Sequence, residues 1–129
     1  MATQTKQTIL IVEDEVSLRN ALGDKLLREG FTTFHAKNGQ EGLEVAFREH
    51  PDMILLDIVM PVMDGMTMLA KLRQDAWGKD ANVIILTNLN ENEKINESVR
   101  SGVFGYLIKT DWKIEEVVGK IRERLAGKV

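Results

Sequence analysis

Short, wholly apolar runs alternate with amphipathic segments along the chain. The run Met53-Ile54-Leu55-Leu56 has no polar face, which is typical of a strand covered on both sides of a sheet. Between such runs, apolar residues spaced three or four positions apart indicate helices, as at Leu18, Leu22 and Leu26. The pattern predicts strands at 8–12, 31–36, 53–56, 82–86 and 104–108, and helices at 16–29, 40–49, 66–74, 90–101 and after residue 111.

Five strand–helix units with short connections predict an α/β protein. Alternation of this kind gives a (βα)5 doubly wound, five-stranded parallel sheet with helices on both faces. No internal repeat or linker composition suggests a second domain. We expect residues 1–7 to form a flexible N-terminal tail and residues 8–129 to form the folded domain.

Several residues predict how the helices end and which way they face. Gly30 is placed to end the first helix in a left-handed conformation. Asp64 and Asp111 are placed to cap the third and last helices. The second helix is expected to turn Leu43, Ala46 and Phe47 inward, and the last helix carries an apolar stripe of Ile114, Val117, Val118, Ile121 and Leu125.

Composition narrows the class of protein. The 129 residues are 43% hydrophobic and 29% charged, as expected for a globular domain with a real core. A net charge of -3 argues against direct nucleic-acid contact, which needs clustered cations. The absence of cysteine excludes disulfides and thiolate metal sites. Neither a signal peptide nor an apolar run of membrane length is visible, so we expect a cytoplasmic protein without membrane insertion.

Polar residues collect where the predicted strands end. Glu13-Asp14-Glu15 follows the first strand, Asp57 the third, Thr87 the fourth and Lys109 the fifth. The carboxyl ends of parallel strands lie on one edge of a sheet, where open α/β proteins bind ligands. We therefore expect these distant residues to converge on one crevice.

Three carboxylates in one crevice require a cation. At about 4 Å and an effective dielectric near 20, each like-charged pair costs roughly 4 kcal/mol. Oxygen ligands without histidine or cysteine favour Mg²⁺, which also binds phosphate. With Lys109 and the Thr87 hydroxyl, such a site suits phosphoryl oxygens. Asp57 is then the favoured nucleophile, because Glu13 and Asp14 adjoin each other and suit metal binding.

Each of these residues also has a simpler interpretation when taken alone. The acidic run suits the first turn of a helix, and Thr87 suits a strand end. Tyr106 suits a strand core. Asp64 is interpreted as a cap and not as a metal ligand. The methionines between 60 and 68 are interpreted as packing material and not as a redox site.

From about residue 8 to residue 125 the chain resembles the receiver domains of two-component response regulators. The similarity rests on Glu13-Asp14, on Asp57-Ile-Val-Met-Pro-Val-Met-Asp64-Gly65, on Thr87, and on Tyr106-Leu-Ile-Lys109. It implies a flavodoxin-like three-layer sandwich with strand order 2-1-3-4-5. It also implies a phosphorylation-activated signalling switch and not an enzyme.

The resemblance assigns a role to each matching residue. Asp57 resembles the phosphoacceptor, which takes a phosphoryl group from a sensor histidine kinase or a His-phosphotransfer protein. Lys109 resembles the lysine that pairs with the phosphoryl group. Thr87 and Tyr106 resemble the switch pair that relays phosphorylation to segment 90–101 and the fifth strand. The Mg²⁺ pocket is expected to consist of Glu13, Asp14, Asp57 and the main-chain carbonyl of Val59.

Four positions bear on departures from the family pattern or on phosphoryl lifetime. Thr110 follows Lys109 where the family usually has proline in a cis bond, which a non-proline residue adopts only at about 2.5–4 kcal/mol. Asn88 follows Thr87 where a smaller residue is usual. Val59 and Leu89 are apolar, so we expect a dry site and slow loss of the phosphoryl group.

Three other functions compete with a signalling switch. An aspartyl-phosphate phosphatase or mutase needs a second acid two residues after its nucleophile, and that position is Val59. A flavin or nucleotide carrier needs a phosphate-binding loop after the first strand, and that loop is acidic. A degenerate receiver that only binds partners would not need Asp57, Thr87 and Lys109 together. The sequence does not identify the downstream target. It also leaves open whether the protein is a stand-alone receiver or part of a longer regulator, and whether it is a monomer or a phosphorylation-dependent dimer.

Overall fold

A computed structural model describes residues 6–87, 102–103, 105–108 and 113–126, with the backbone alone for residues 87 and 105–108. The strands are β1 (Thr8–Val12), β2 (Thr32–Ala36), β3 (Met53–Asp57), β4 (Val83–Thr87) and β5 (Gly105–Ile108). The helices are α1 (Val16–Arg28), α2 (Gly39–Glu49), α3 (Gly65–Arg73) and a C-terminal helix (Ile114–Leu125), with a short 3₁₀ turn at Gly78–Asp80.

The five strands form one parallel sheet in the order β2-β1-β3-β4-β5, which confirms the predicted topology. The register aligns Val12 of β1 with Leu56 of β3, and Asp57 with Leu86 of β4. All strands therefore end on the same edge, which is the crevice edge predicted from the polar residues.

Two apolar clusters cover the two faces of the sheet. Because side chains alternate along a strand, Leu10 and Val12 face one cluster and Ile9 and Ile11 the other. The first cluster includes residues of α2 and α3, and the second includes residues of α1 and the C-terminal helix. Strands without a polar face are thus explained by helices on both sides.

Most of the predicted helix ends are confirmed, with small corrections. Gly30 is left-handed at φ 96°, and the side chain of Asp64 accepts a hydrogen bond from the Thr67 amide at 2.8 Å. β3 extends one residue further than expected and includes Asp57. The C-terminal helix has Lys113 in its N-cap position, while Asp111 and the predicted helix at 90–101 lie outside the described residues.

The predicted inward face of α2 was wrong at one position. Phe47 is 40% exposed, and Val45 is buried instead. The helix begins at Gly39, where the Asn38 side chain accepts a hydrogen bond from the Glu41 amide at 2.8 Å. Val45 and Leu43 both pack into the core cluster on this face of the sheet.

Within the described ranges, no helix has both the length and the apolar character needed to cross a membrane.

The loop between β3 and α3 contains a strained residue. Val62 has φ 67°, in the left-handed region that β-branched residues rarely occupy, and its side chain is 82% exposed. A left-handed backbone costs a residue with a side chain about 1–2 kcal/mol. Because the Val62 side chain is exposed, its packing offsets little of that cost. The hydrogen bonds of the neighbouring residues hold the loop in place, including one from the Met63 amide to the Pro61 carbonyl at 2.7 Å.

Replacing Val62 by glycine is expected to stabilise the protein. The left-handed strain disappears, and the added freedom of the unfolded chain offsets part of the gain, leaving up to about 1 kcal/mol. Urea unfolding of the metal-free protein measures the change. Val59→Gly is the matched control, because it is an exposed valine in the same loop without a positive φ, and it should destabilise the protein. Equal destabilisation by both substitutions would contradict the prediction.

Candidate phosphoacceptor site

Two buried carboxylates lie side by side at the carboxyl edge of the sheet. Glu13 follows β1 and is fully buried, and Asp57 ends β3 with only 4% of its surface exposed. Because Val12 pairs with Leu56, the next residue on each strand is an acid. Together with the exposed Asp14, they bring one oxygen each to within 4.8 Å of one another. The predicted convergence of these three acids is therefore observed.

Backbone contacts hold Glu13 at this edge. Its amide donates to the Ala36 carbonyl at 3.0 Å, which ties it to the end of β2. Its carboxylate accepts a hydrogen bond from the Glu15 amide at 3.1 Å, and its carbonyl accepts one from Arg19 Nη1 at 2.7 Å. These bonds fix the position of the residue, which contributes one carboxylate oxygen to the cluster.

The loop after Asp57 is packed against the backbone of the acid itself. The Gly65 amide donates to the Ile58 carbonyl at 2.8 Å. A Cβ on Gly65 would lie 2.1 Å from the Asp57 carbonyl oxygen, so only glycine permits this approach. At its far side the loop is joined to α2, because the Met63 carbonyl accepts a hydrogen bond from the Gly39 amide at 2.9 Å.

The three carboxylates form a donor set that fits a magnesium ion. An octahedral Mg²⁺ at about 2.1 Å needs oxygens about 3 Å apart along its edges and about 4 Å apart across it. Oxygens within 4.8 Å of one another satisfy this requirement after minor adjustment. The set contains no nitrogen or sulfur donor, which favours Mg²⁺ over transition metals. It is the one cluster of this kind in the part of the chain that the structure describes.

The backbone of two further predicted residues lies close by. Thr87 ends β4 one position beyond Leu86, the partner of Asp57. Tyr106 pairs with Ile85 on the adjacent strand β5. The side chains of Thr87 and Tyr106, and the whole of Lys109, Asn88, Leu89 and Thr110, lie outside the described residues. Their predicted roles therefore stay predictions.

Val59, two residues after Asp57, has a largely exposed side chain. Its exposed fraction is 60%, so it is not packed in the core. The chain still has no acid at this position, two residues after the candidate nucleophile. The expected dry site rested on Val59 and Leu89; Val59 is exposed and apolar, and Leu89 lies outside the described residues, so the expectation stays a prediction.

Sequence interpretation missed two residues that position the acids. Arg19 lies one turn into α1 and donates to the Glu13 carbonyl, a contact that its place in a helical pattern does not reveal. Gly65 was noted only as part of a motif, yet its missing side chain sets the approach of α3 to Asp57. The available signal was a glycine at the first position of a helix, directly after an expected cap.

Comparison with known proteins agrees with this geometry. The pattern of the response regulator receiver domain family matches residues 9–122, most of the chain. Sporulation initiation phosphotransferase F of Bacillus subtilis (strain 168) is 33% identical over 119 residues, covering 92% of this chain and 94% of the relative. The chain belongs to the receiver domain family of two-component response regulators, whose members are phosphoacceptor signalling domains.

Solved structures show the same fold. A receiver domain protein from Methanospirillum hungatei JF-1 superposes with a TM-score of 0.88 at 26% identity, covering 95% of this chain and 96% of that one. CheY in a CheX-CheY-BeF3-Mg complex from Borrelia burgdorferi has a TM-score of 0.84 at 25% identity, with 92% and 89% covered. Other curated relatives are longer, and the chain spans about half of their length.

Substituting alanine for Gly65 is expected to destabilise the protein and displace Asp57. The added methyl group cannot occupy a position 2.1 Å from the Asp57 carbonyl oxygen, so the loop or the strand end must shift. Overpacking of this kind costs about 1–3 kcal/mol. Urea unfolding measures the loss, and the rate of phosphorylation by a small donor reports the displacement.

Gly119→Ala provides the control for this experiment. Gly119 lies in the C-terminal helix, and no atom lies within 4 Å of the position that the added methyl group would take. Alanine there should raise helix stability by about 0.5–1 kcal/mol. Wild-type stability and phosphorylation in Gly65→Ala would show that the close approach does not constrain the site.

Proposed function

We propose that this protein is a phosphorylation-activated signalling switch whose phosphoacceptor is Asp57. The observation that carries the proposal is the cluster of Glu13, Asp14 and Asp57 oxygens within 4.8 Å of one another. Asp57 ends a fully buried strand, so its carboxylate is presented from a rigid base. A rigidly placed carboxylate beside a cation pocket is suited to in-line attack on phosphorus.

The proposed donor is a phosphohistidine on a sensor histidine kinase or a His-phosphotransfer protein. A carboxylate oxygen of Asp57 forms a bond to phosphorus while the phosphorus–nitrogen bond to the donor imidazole breaks. The electron pair of that bond leaves with the imidazole, which takes up a proton from solvent. The product is an acyl phosphate on Asp57, and no oxidant or further reactant is needed.

A magnesium ion would be held by the carboxylates of Glu13, Asp14 and Asp57 and by the main-chain carbonyl of Val59. The bound ion supplies electrostatic neutralisation of the phosphoryl oxygens during transfer. In this division of roles Glu13 is positioned through its backbone by Arg19 and Ala36. Asp14, which is exposed, supplies the carboxylate nearest to solvent.

Lys109, Thr87 and Tyr106 are proposed to sense the new charge. A phosphoryl group adds about −1.5 to −2 charge and three acceptor oxygens. Lys109 would pair with those oxygens, and the Thr87 hydroxyl would donate to one of them. Tyr106, on the strand paired with β4, would then move inward and change the surface of segment 90–101 and β5.

The proposed function is that of a phosphoacceptor and not of an enzyme with multiple turnovers. The residue two positions after Asp57 is Val59, which has no group to act as a general acid or base. Chemistry at Asp57 is then limited to accepting a phosphoryl group and losing it slowly to water. We further propose residues 8–129 as the domain, a cytoplasmic location, and a monomer or a phosphorylation-dependent dimer.

Incubation with Mg²⁺ and a small acyl-phosphate donor tests the phosphoacceptor. The intact mass should rise by one phosphoryl group, and the gain should vanish in Asp57→Asn and when EDTA removes the metal. Asp64→Asn is the matched control, because Asp64 is an exposed acid seven residues away and asparagine preserves its helix cap. Phosphorylation of Asp57→Asn to the wild-type extent, or loss in Asp64→Asn alone, would contradict the proposal.

Val59 is expected to give the acyl phosphate a long lifetime. An apolar side chain two residues after Asp57 cannot orient an attacking water, whereas an amide in the same place can donate and accept hydrogen bonds. Val59→Asn should therefore shorten the lifetime by about tenfold, the rate effect of roughly 1.4 kcal/mol. Mass spectrometry of the phosphorylated protein in Mg²⁺ measures decay. Decay of the unsubstituted protein within seconds, without any partner, would refute this expectation.

A further inference from the structure

The turn before α2 contains the one asparagine of the chain that a glycine follows. The sequence has seven asparagines, and only Asn38 precedes a glycine. In such a pair the backbone nitrogen of the glycine can attack the side-chain amide carbon of the asparagine, because glycine has no Cβ to hinder the approach. The two groups are held close together by the chain, which favours ring closure without an enzyme. The Asn38-Gly39 pair is therefore a chemically reactive point in the sequence.

The structure places this pair where α2 meets the loop after Asp57. The half-buried Asn38 caps α2, since its side-chain oxygen accepts a hydrogen bond from the Glu41 amide at 2.8 Å. The Gly39 amide donates to the Met63 carbonyl, in the loop between β3 and α3, at 2.9 Å. The nitrogen that would attack Asn38 is thus the same atom that joins α2 to this loop.

Two features of the fold restrain the reaction. The Gly39 N–H must leave the Met63 carbonyl before its nitrogen can attack. The five-membered ring also needs that nitrogen in line with the Cα–Cβ bond of Asn38, whereas a ψ of 173° places it opposite to the Asn38 nitrogen. Both conditions change when the first turn of α2 opens locally, which costs less free energy than global unfolding. The rate in the folded protein is then the rate in the open state multiplied by the fraction of time spent open.

We propose that Asn38 is a site of spontaneous covalent modification, in which water converts it to aspartate or isoaspartate. A bond forms between the Gly39 nitrogen and Asn38 Cγ, the bond from Cγ to Nδ2 breaks, and ammonia leaves with the proton of the Gly39 amide. Water then opens the resulting succinimide. Breaking the bond from nitrogen to Cγ gives aspartate, and breaking the bond from nitrogen to the main-chain carbon gives isoaspartate. The sum is the uptake of one water and the release of one ammonia.

The two products act differently on the loop after Asp57. Aspartate is a good capping residue and its charge suits the N-terminus of a helix, so it should keep α2 in place. Isoaspartate adds one carbon to the main chain, which moves Gly39 relative to the residue before it. A Cβ on Gly39 would lie 2.6 Å from the Met63 carbonyl oxygen, so the two segments pack too closely to absorb such a shift. Isoaspartate should therefore release the loop from α2.

Peptide mass mapping of the full chain, after incubation at mildly alkaline pH, tests the modification. The peptide with Asn38 should show the mass of an amide converted to an acid and should separate into aspartate and isoaspartate forms. Peptides with Asn20 and Asn82, which precede alanine and valine, should stay unchanged. The chain unfolded in guanidinium should convert about tenfold to a hundredfold faster than the folded chain.

Three results would overturn this proposal. The first is no conversion at Asn38 in the folded protein after about ten times the period that converts the unfolded chain completely. The second is conversion at Asn20 and Asn82 to the same extent as at Asn38. The third is an equal rate in the folded and unfolded chains, which would show that the fold does not restrain the reaction.

Two measurements test the restraint from the Met63 carbonyl. Gly65→Ala should displace the loop and accelerate conversion about tenfold, whereas Gly119→Ala, where no atom lies within 4 Å of the added methyl group, should leave the rate unchanged. Hydrogen exchange of the Gly39 amide in the unsubstituted protein measures the same opening, and it stays decisive where Gly65→Ala does not fold. Equal acceleration by both substitutions, or a Gly39 amide without protection, would refute the restraint.

Phosphorylation by a small acyl-phosphate donor reports the consequence for Asp57, which rests on the proposed function. The incubated protein should lose phosphorylation rate in proportion to its isoaspartate content. Asn38→Ser, which keeps a capping side chain and cannot form the ring product, and Asn38→Asp, tested fresh, should keep the rate. An unchanged rate in protein rich in isoaspartate would contradict the effect on the loop. Failure of fresh protein to accept a phosphoryl group would refute the proposed function instead, and the mass measurement at Asn38 would still stand.

Discussion

The burial of two neighbouring carboxylates, Glu13 and Asp57, at one edge of the sheet is the constraint on which the candidate site depends. The two side chains are almost without solvent, and the register of β1 and β3 places them side by side. Like charges at such separations oppose folding by several kcal/mol unless a cation or hydrogen bonds offset them. The two-sided apolar core supplies the stability that holds them together. A cation would further stabilise two ionised carboxylates in this position, which is the physical reason for the proposed magnesium site.

The strands were predictable because a strand covered on both faces needs a purely apolar run. Met53 to Leu56 therefore located β3, although periodicity could not show that Asp57 is itself the last paired residue. The rotation of α2 was less predictable, since Phe47 and Val45 are two residues apart and only the packing of the helix against the sheet decides which is buried. Burial is a tertiary property, and helical spacing predicts it only to within a residue or two.

The acidic cluster was predictable for a different reason. Residues at the carboxyl ends of parallel strands must share an edge, so topology alone brought Glu13, Asp14 and Asp57 together. The contacts that adjust the site were harder to predict, because Arg19 reaches a carbonyl and the only signal for Gly65 was a glycine directly after an expected cap. The pattern of polar residues does not show which backbone carbonyl a side chain will reach, or where a missing side chain allows two segments to approach.

The hydrogen bond from Arg19 to the Glu13 carbonyl connects α1 directly to the acidic cluster. Arg19 belongs to a surface helix, yet its guanidinium ends 2.7 Å from the backbone of a residue that faces the cluster. If a partner bound at α1 shifted this contact, the affinity of the cluster for a cation would change, and by linkage the cation would change the affinity for the partner by the same factor. Partner binding and cation binding would then be coupled through the single side chain of Arg19.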